Sequence, residues 1–356
     1  MGSPKILVLR LSAVGDVIRT LPTITALKEH IPSSSITWVV EEPSQAFLDS
    51  QPEIDEIILF PRKRWTHGIQ SLGGMWRTIG EMWEFLRDLR RRKFEVVLDF
   101  HGLLKSGLLS FFSGSPKRIG YDRRSTKEWN FLFSNVKVKL PKERISRFQR
   151  NLALLKGMGL ELDLKDIKYG LHIPQEDREV VESFFNTSAV SIQRPLIAIH
   201  PGSSRKAFFK RWLPDQYARL ADRLIRELHA TVLFTWGMEE LQWVEGIRKE
   251  MKEPSLLGPK TESLTQLGEV YRHCDLYIGG DTGPMHIASL MGIPAAVIYG
   301  PTDPIENEPF GKHIKIREEV GCNPCHQYSC KERVCVKAIS ADKVFKAAEE
   351  MLRLTY

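Results

Sequence analysis

Gly279-Gly280-Asp281-Thr282-Gly283-Pro284-Met285-His286 follows the apolar run Cys274-Asp275-Leu276-Tyr277-Ile278 and leads into Ile287-Ala288-Ser289-Leu290-Met291. The order reads as strand, glycine turn and helix. Glycines let a backbone come close to a ligand, and a helix opening there points unpaired N–H groups and positive dipole into the turn. Such a turn suits a diphosphate, although a plain strand-to-helix connection in a doubly wound sheet uses the same glycines. A second buried run, Ala295-Ala296-Val297-Ile298-Tyr299, ends in Gly300-Pro301-Thr302-Asp303-Pro304. It adds another polar turn on the same sheet edge and tips the reading toward a ligand site.

The same strand, loop and helix opens both halves of the chain. Lys5 to Leu11 is an apolar strand broken by Ser12-Ala13-Val14-Gly15-Asp16, ahead of a helical pattern at Leu21, Ile24, Leu27 and Ile31. Pro22 is expected to end or kink its first turn. Asp16 falls where a helix dipole keeps a carboxylate ionised, which suits a base, although capping the helix is the plainer duty for that position. Further strands are expected at 36–40, 57–60 and 96–100, with helical patterns between them, and alternating β and α means a parallel sheet. In the second half, Leu196-Ile197-Ala198-Ile199-His200 runs into Pro201-Gly202-Ser203-Ser204, followed by Lys210-Arg211-Trp212. The next strand, ending at Thr235-Trp236-Gly237, is followed by Glu239 and Glu240, and a carboxylate there suits a ribose hydroxyl pair or a solvated helix start equally.

A chain of 356 residues, 42% hydrophobic, is expected to form two domains. The polar stretch Asp163–Asp177, which contains Pro174, reads as the linker, giving domains 1–172 and 173–356. The run Ile6-Leu7-Val8-Leu9 before Arg10 is too short for a signal peptide, and no apolar run is of spanning length, so a cytoplasmic protein is expected. Trp76, Ile79, Trp83 and Leu86, with Met75 and Met82, form a helical stripe that reads as core, with membrane contact the lesser reading. Leu103, Leu104, Leu108, Leu109, Phe111 and Phe112 also read as a core helix.

The net charge of +7 is unevenly spread. Residues 61–93 hold 9 Lys/Arg against 3 Asp/Glu, and residues 117–150 hold 11 against 3, so everything else is acidic on balance. An anionic partner is implied: nucleic acid, a phospholipid surface or a phosphorylated acceptor. Arg62-Lys63-Arg64-Trp65 follows the third strand, at the edge where open α/β sheets bind ligands, and arginine forks suit phosphates and carboxylates.

Four of the five cysteines gather late, as Cys322-x-x-Cys325, Cys330 and Cys335. The spacing permits a structural zinc or iron–sulfur site, but the second Cys-x-x-Cys of a strong signature is missing, and free thiols are the plainer reading. Ser340 is expected to cap a last helix over about 340–354. No Gly-x-Gly-x-x-Gly follows a strand, and no Asp-x-Asp pair is present to hold a metal on a diphosphate. That leaves cationic side chains and helix N-termini for the leaving group, as in a two-domain nucleotide-sugar transferase.

Several segments together resemble the ADP-heptose:lipopolysaccharide heptosyltransferases, glycosyltransferase family 9. They are Leu9-Arg10-Leu11-Ser12-Ala13-Val14-Gly15-Asp16-Val17 with Thr20-Leu21-Pro22, Trp38-Val39-Val40-Glu41-Glu42, Gly102-Leu103-Leu104-Lys105-Ser106, Lys210-Arg211-Trp212, and Gly280–His286 with Tyr299–Pro304. The second and third resemble the type I enzymes. The resemblance implies the GT-B fold: two Rossmann-like domains, each a parallel sheet flanked by helices, facing across a cleft, with the last helix free to pack back on the first. It implies inverting transfer of L-glycero-D-manno-heptose from ADP-heptose to Kdo of the inner core, with no metal or other cofactor.

The same resemblance assigns roles to residues. Asp16 becomes the general base and Lys210 the cation that neutralises the departing diphosphate. Ser203 and Ser204 hold phosphates, Glu240 the ribose with Glu239 as the alternative, and Asp281 sugar hydroxyls, while Thr282, Gly283 and His286 line the cradle. Arg62, Arg64, Arg123 and Arg147 grip acceptor carboxylates and phosphates. The implied partners are ADP-heptose, Kdo-lipid A or another lipopolysaccharide precursor, and the cytoplasmic face of the inner membrane, touched peripherally. A family member acting on another acceptor (heptose II or III type) or sugar is the nearest alternative. A basic nucleic-acid-binding protein is a remote one, lacking any helix-turn-helix or zinc-finger pattern.

Overall fold

The structure, a computed structural model, describes residues 3–70, 72–187, 192–325, 327 and 330–355. The chain divides into two compact units, Met1–Tyr169 and Gly170–Tyr356. The division falls within the Pro174-containing polar stretch expected to be the linker.

In the first unit β1 (Lys5–Leu9), β2 (Ser35–Val40), β3 (Glu56–Leu59), β4 (Val96–Asp99), β5 (Lys117–Tyr121) and β6 (Val136–Val138) form one parallel sheet in the order β3-β2-β1-β4-β5-β6. Ile6 to Leu9 are fully buried, as expected of a strand covered on both faces, which is why β1 reads as an unbroken apolar run. The winding reverses between β1 and β4, so their carboxyl ends open the crevice where such sheets take ligands. The pattern after β1 is two helices, Val14–Ile18 and Leu21–His30. Pro22 sits in the first turn of the second, where its missing N–H goes unneeded.

The end of β4 is fixed by Asp99. Its buried carboxylate accepts from the His101 N–H at 3.0 Å, the Gly102 N–H at 3.1 Å, the Ser106 hydroxyl at 2.9 Å and Asn130 Nδ2 at 2.7 Å. Burial outweighs these bonds and pushes the carboxyl above its ordinary pKa. One side chain thereby ties the loop after β4, the Leu104–Phe112 helix and the Asn130–Leu132 turn together.

Two helices depart from the sequence expectation. In the Leu72–Arg91 helix, Phe85, Leu86 and Leu89 pack on the sheet, but Trp76 and Trp83 face solvent. In the Leu104–Phe112 helix Leu109 is buried, whereas Leu104, Leu108 and Phe111 are exposed. Both helices are apolar on two sides and flank a single sheet, which covers only one of them. Among the described residues no helix is long and apolar enough to cross a membrane.

The second unit repeats the winding. β7 (Leu196–His200), β8 (Thr231–Phe234), β9 (Leu256–Leu257), β10 (Leu276–Gly280), β11 (Ala295–Ile298) and β12 (His313–Ile316) form a parallel sheet in the order β12-β11-β10-β7-β8-β9. Here the reversal lies between β7 and β10. The last helix, Ala341–Arg353, is capped by Ser340. It buries Val344, Phe345, Ala348, Met351 and Leu352 in the core of its own unit, beside the Pro214–Leu228 helix.

Candidate functional site

At the carboxyl end of β1 the chain passes Arg10 and turns into the short helix that carries Asp16. Arg10 pairs with Asp16 Oδ2, Arg19 Nη2 lies 2.5 Å from Oδ1, and Arg147 Nη1 lies 3.3 Å from the same oxygen. Arg10 also donates to the Phe100 carbonyl at 2.6 Å, which anchors it to the end of β4. Burial alone would raise the Asp16 pKa, but the three guanidiniums outweigh it and hold the carboxyl well below the usual range. Asp16 is therefore ionised at any working pH. Nearby His101 is driven to a pKa of about 3 by burial and by the positive charges of Arg10 and Lys105, so it stays neutral.

Arg10 and Arg19 were missed as site residues. Arg19 lies three positions beyond Asp16, one helical turn on, and Arg10 is the first residue past a strand end, so both signals were local. Of the four arginines expected to grip an acceptor, Arg147 joins Asp16. Arg62 lies 3.5 Å from Glu41, which also accepts from Lys105 Nζ at 3.0 Å just beyond β2. Arg64 pairs with Glu81, and Arg123 lies over the Phe131 ring at 5.8 Å, so neither shares Asp16.

In the second unit the ends of β7 and β10 lie side by side. β10 delivers Asp281, and Thr282 heads the Gly283–Leu290 helix. Lys210, from the 3-10 turn Arg205–Lys210, places Nζ 3.2 Å from the Asp281 carboxylate and 3.3 Å from its carbonyl oxygen. A Cβ at Gly283 would meet nothing within 4 Å, so the backbone at the helix mouth is open to a ligand. His286 is buried within this helix, and the Thr282 hydroxyl lies 3.4 Å from the Gly280 carbonyl oxygen.

Glu240 is engaged by the protein itself. Its carboxylate accepts from the Gly237 N–H at 2.8 Å and lies 3.3 Å from His200 Nε2 and 3.9 Å from Arg211. Burial acts to raise its pKa, but His200, the Gly237 N–H and Arg211 together hold it down at about 2. Gly202 makes room for it, because a Cβ there would come within 2.2 Å of the Glu240 carboxyl carbon. Glu239 is exposed, 3.4 Å from Arg205. Ser203 is buried, donating to the Ala207 carbonyl at 3.0 Å and accepting from Arg211 Nε at 3.1 Å, whereas Ser204 is exposed. The phosphate role expected of both serines thus has only Ser204 open to solvent.

The cysteines are free thiols, with Cys322 exposed and Cys335 buried. Among the described residues no group of three or more His, Cys, Asp or Glu is arranged to hold a metal ion.

Residues 82–335 match the model of glycosyltransferase family 9 (heptosyltransferase). The chain is 27% identical over 317 residues to the lipopolysaccharide core heptosyltransferase OpsX of Haemophilus influenzae, covering 86% of this chain and 82% of that protein. It is 26% identical over 355 residues to lipopolysaccharide heptosyltransferase 1 of Campylobacter coli, covering 98% of each. The solved ADP-heptose lipopolysaccharide heptosyltransferase II of Escherichia coli shares the fold at a TM-score of 0.73 and 22% identity, over 98% of this chain and 99% of that one. The chain therefore belongs to glycosyltransferase family 9, the heptosyltransferases, and is a glycosyltransferase of GT-B fold.

Proposed function

We propose that the protein moves L-glycero-D-manno-heptose from ADP-heptose to Kdo of the lipopolysaccharide inner core, with inversion at the anomeric carbon. The acceptor oxygen bonds to that carbon as its bond to ADP breaks; the hydroxyl proton passes to Asp16 and the bonding pair leaves with ADP. Lys210 and the first N–H groups of the Gly283–Leu290 helix take up the charge on the diphosphate. Asp281 holds sugar hydroxyls, Thr282, Gly283, His286 and Ser204 line the donor, and Ser203 and Glu240 brace the loop beside it. Lys210 held 3.2 Å from Asp281 at the mouth of that helix is the observation that carries the reading. It supplies a cation where a metal-dependent transferase would use an Asp-x-Asp pair, and the sequence has none.

On the acceptor side Arg10, Arg19 and Arg147 are forks suited to a Kdo carboxylate or a lipid A phosphate. An anion that takes these forks weakens their hold on Asp16 and raises its affinity for a proton, which is what a base in the reaction needs. Arg62, Arg64 and Arg123 extend the cationic surface toward the rest of the acceptor. The type I acceptor is favoured by the Trp38–Glu42 and Gly102–Ser106 segments. The lipid acceptor puts the work at the cytoplasmic face of the inner membrane.

The test is transfer of labelled heptose from ADP-heptose to Kdo-lipid A and, separately, to heptosyl-Kdo-lipid A, with and without EDTA. Product from the first acceptor, undiminished by EDTA, is expected. Product only from the second would replace the type I reading with a type II one, and product from neither would remove heptosyl transfer to the inner core.

A further inference from the structure

The two first-unit helices that kept apolar residues in solvent form one surface. On the Leu72–Arg91 helix Trp76 and Trp83, seven residues apart, are 72% and 57% exposed. On the Leu104–Phe112 helix the exposed residues are Leu104, Leu108 and Phe111, spaced as a single stripe. The stripes are joined by aromatic contacts: Trp83 meets Phe112 with ring centres 6.0 Å apart, and Phe111 meets Phe112 at 5.5 Å and Phe133 at 6.2 Å.

A turn adds a third piece. Glu128 and Trp129 both hold left-handed backbone, φ 54° and 62°, a conformation costly for residues other than glycine. The Glu128 carboxylate accepts from the Leu104 N–H at 3.1 Å, which pins the turn to the start of the second helix and leaves Trp129 66% exposed beside Leu132. Apolar surface gathered in this way marks a place of interaction.

The charges around it select the partner. The Arg118 guanidinium lies 5.8 Å from the Phe111 ring centre, and Arg123 and Lys137 lie 5.8 and 5.6 Å from that of Phe131. Glu81, Glu84 and Asp88 share the Trp76 helix with Arg77, Arg87, Arg90 and Arg91, so the surplus beside the exposed rings comes mainly from Arg118, Arg123 and Lys137. A second copy of this face would set like charges against each other. Tryptophan and leucine at headgroup depth, ringed by arginine and lysine, are matched instead to an anionic bilayer.

We propose that the Trp76–Trp83 face, the Leu104–Phe111 stripe and the Trp129–Leu132 turn dock the first unit onto an anionic phospholipid surface. The proposed lipid acceptor is the reason for choosing a bilayer; the docking itself needs no catalysis. The experiment measures cosedimentation of the full chain with vesicles of phosphatidylethanolamine and phosphatidylglycerol, against vesicles of phosphatidylcholine alone. It compares wild type with W76S/W83S and, separately, W129S/L132S, with Met238→Ser in the second unit as an exposed apolar control. Melting temperature checks folding, and transfer to a water-soluble, deacylated Kdo acceptor reads activity independently of lipid.

The expected result is selective binding to the anionic vesicles, a blue shift of tryptophan emission on binding, and a roughly tenfold or greater loss of binding in each double variant. Transfer to the soluble acceptor should be unchanged. Folded double variants that bind like wild type, or wild type that ignores anionic vesicles, would overturn the proposal. So would wild type that is dimeric without lipid and becomes monomeric in the double variants, since the face would then belong to a second copy. Vesicle binding without any transfer would leave this surface standing and refute the proposed reaction instead.

Discussion

Asp16 Oδ1 and Arg147 Nη1 lie 3.3 Å apart although 131 positions separate them in the chain. With Arg10 and Arg19 on the same carboxylate, the group proposed as base is held ionised but is a weak proton acceptor until its cations are drawn elsewhere. A depressed folded pKa means the charged form persists to strongly acidic pH. The acid limb of kcat/KM, which reports the free enzyme, is therefore expected to lie below the ordinary carboxylate range. Arg19→Gln should move that limb upward by about one pH unit, because a lost cation raises the pKa. An unmoved limb would mean that another group sets it.

Lys210 should act on the leaving group more than on ground-state binding. Lys210→Ala is expected to lower kcat by about a hundredfold or more, with Lys210→Arg recovering part of the loss. The check is steady-state kinetics at saturating acceptor. A rise in KM alone would confine Lys210 to holding the donor.

How much of this was legible in sequence follows from where each signal lay. The central strands read clearly because β1, β4, β7 and β10 are covered on both faces and so are continuously apolar. The short outer strands did not: β5 begins Lys117-Arg118, β6 alternates around Lys137, and β9 is only Leu256–Leu257. Their pairing comes from neighbours, which a local pattern does not contain. The glycine turn at 279–283 was readable from its composition, although close packing demands glycine only at Gly279, where a Cβ would meet the His200 carbonyl oxygen at 2.8 Å. The Arg10–Asp16–Arg147 cluster needed the fold, since Arg147 arrives from a distant helix. Trp76 and Trp83 misled because a helical stripe has the same period whether it faces a core or the outside.

Glu240 gives a pH signature in stability. Its folded pKa of about 2 lies below the ordinary glutamate value of 4.5, so its contribution is full above that value and fades as pH falls toward 2. Glu240→Gln is expected to cost roughly 2–3 kcal/mol at neutral pH. Urea unfolding from neutral to acid pH should show the two proteins converging only as pH falls to about 2. A pH-independent difference would assign the loss to packing around His200 and Arg211.

Asp99 carries no proposed chemistry, yet it should be among the least replaceable side chains of the first unit. Asp99→Ala takes one acceptor from each of four donors. The His101 N–H keeps the Leu9 carbonyl and Ser106 and Asn130 keep that of Leu103, but the buried Gly102 N–H loses its partner, so the unit should be destabilised by about 2 kcal/mol. Hydrogen exchange at residues 101–106 should accelerate before exchange elsewhere does. Unchanged protection there would show that the loop is held by other contacts.

Asp16→Asn keeps the size of the side chain and removes its charge, so it isolates the base from the scaffold. The most direct measurement is single-turnover heptose transfer to Kdo-lipid A by wild type and Asp16→Asn, with ADP-heptose binding measured on the same samples. The account predicts a chemical step slowed by about a hundredfold or more, with donor affinity retained. A variant that turns over at the wild-type rate would contradict Asp16 as the base.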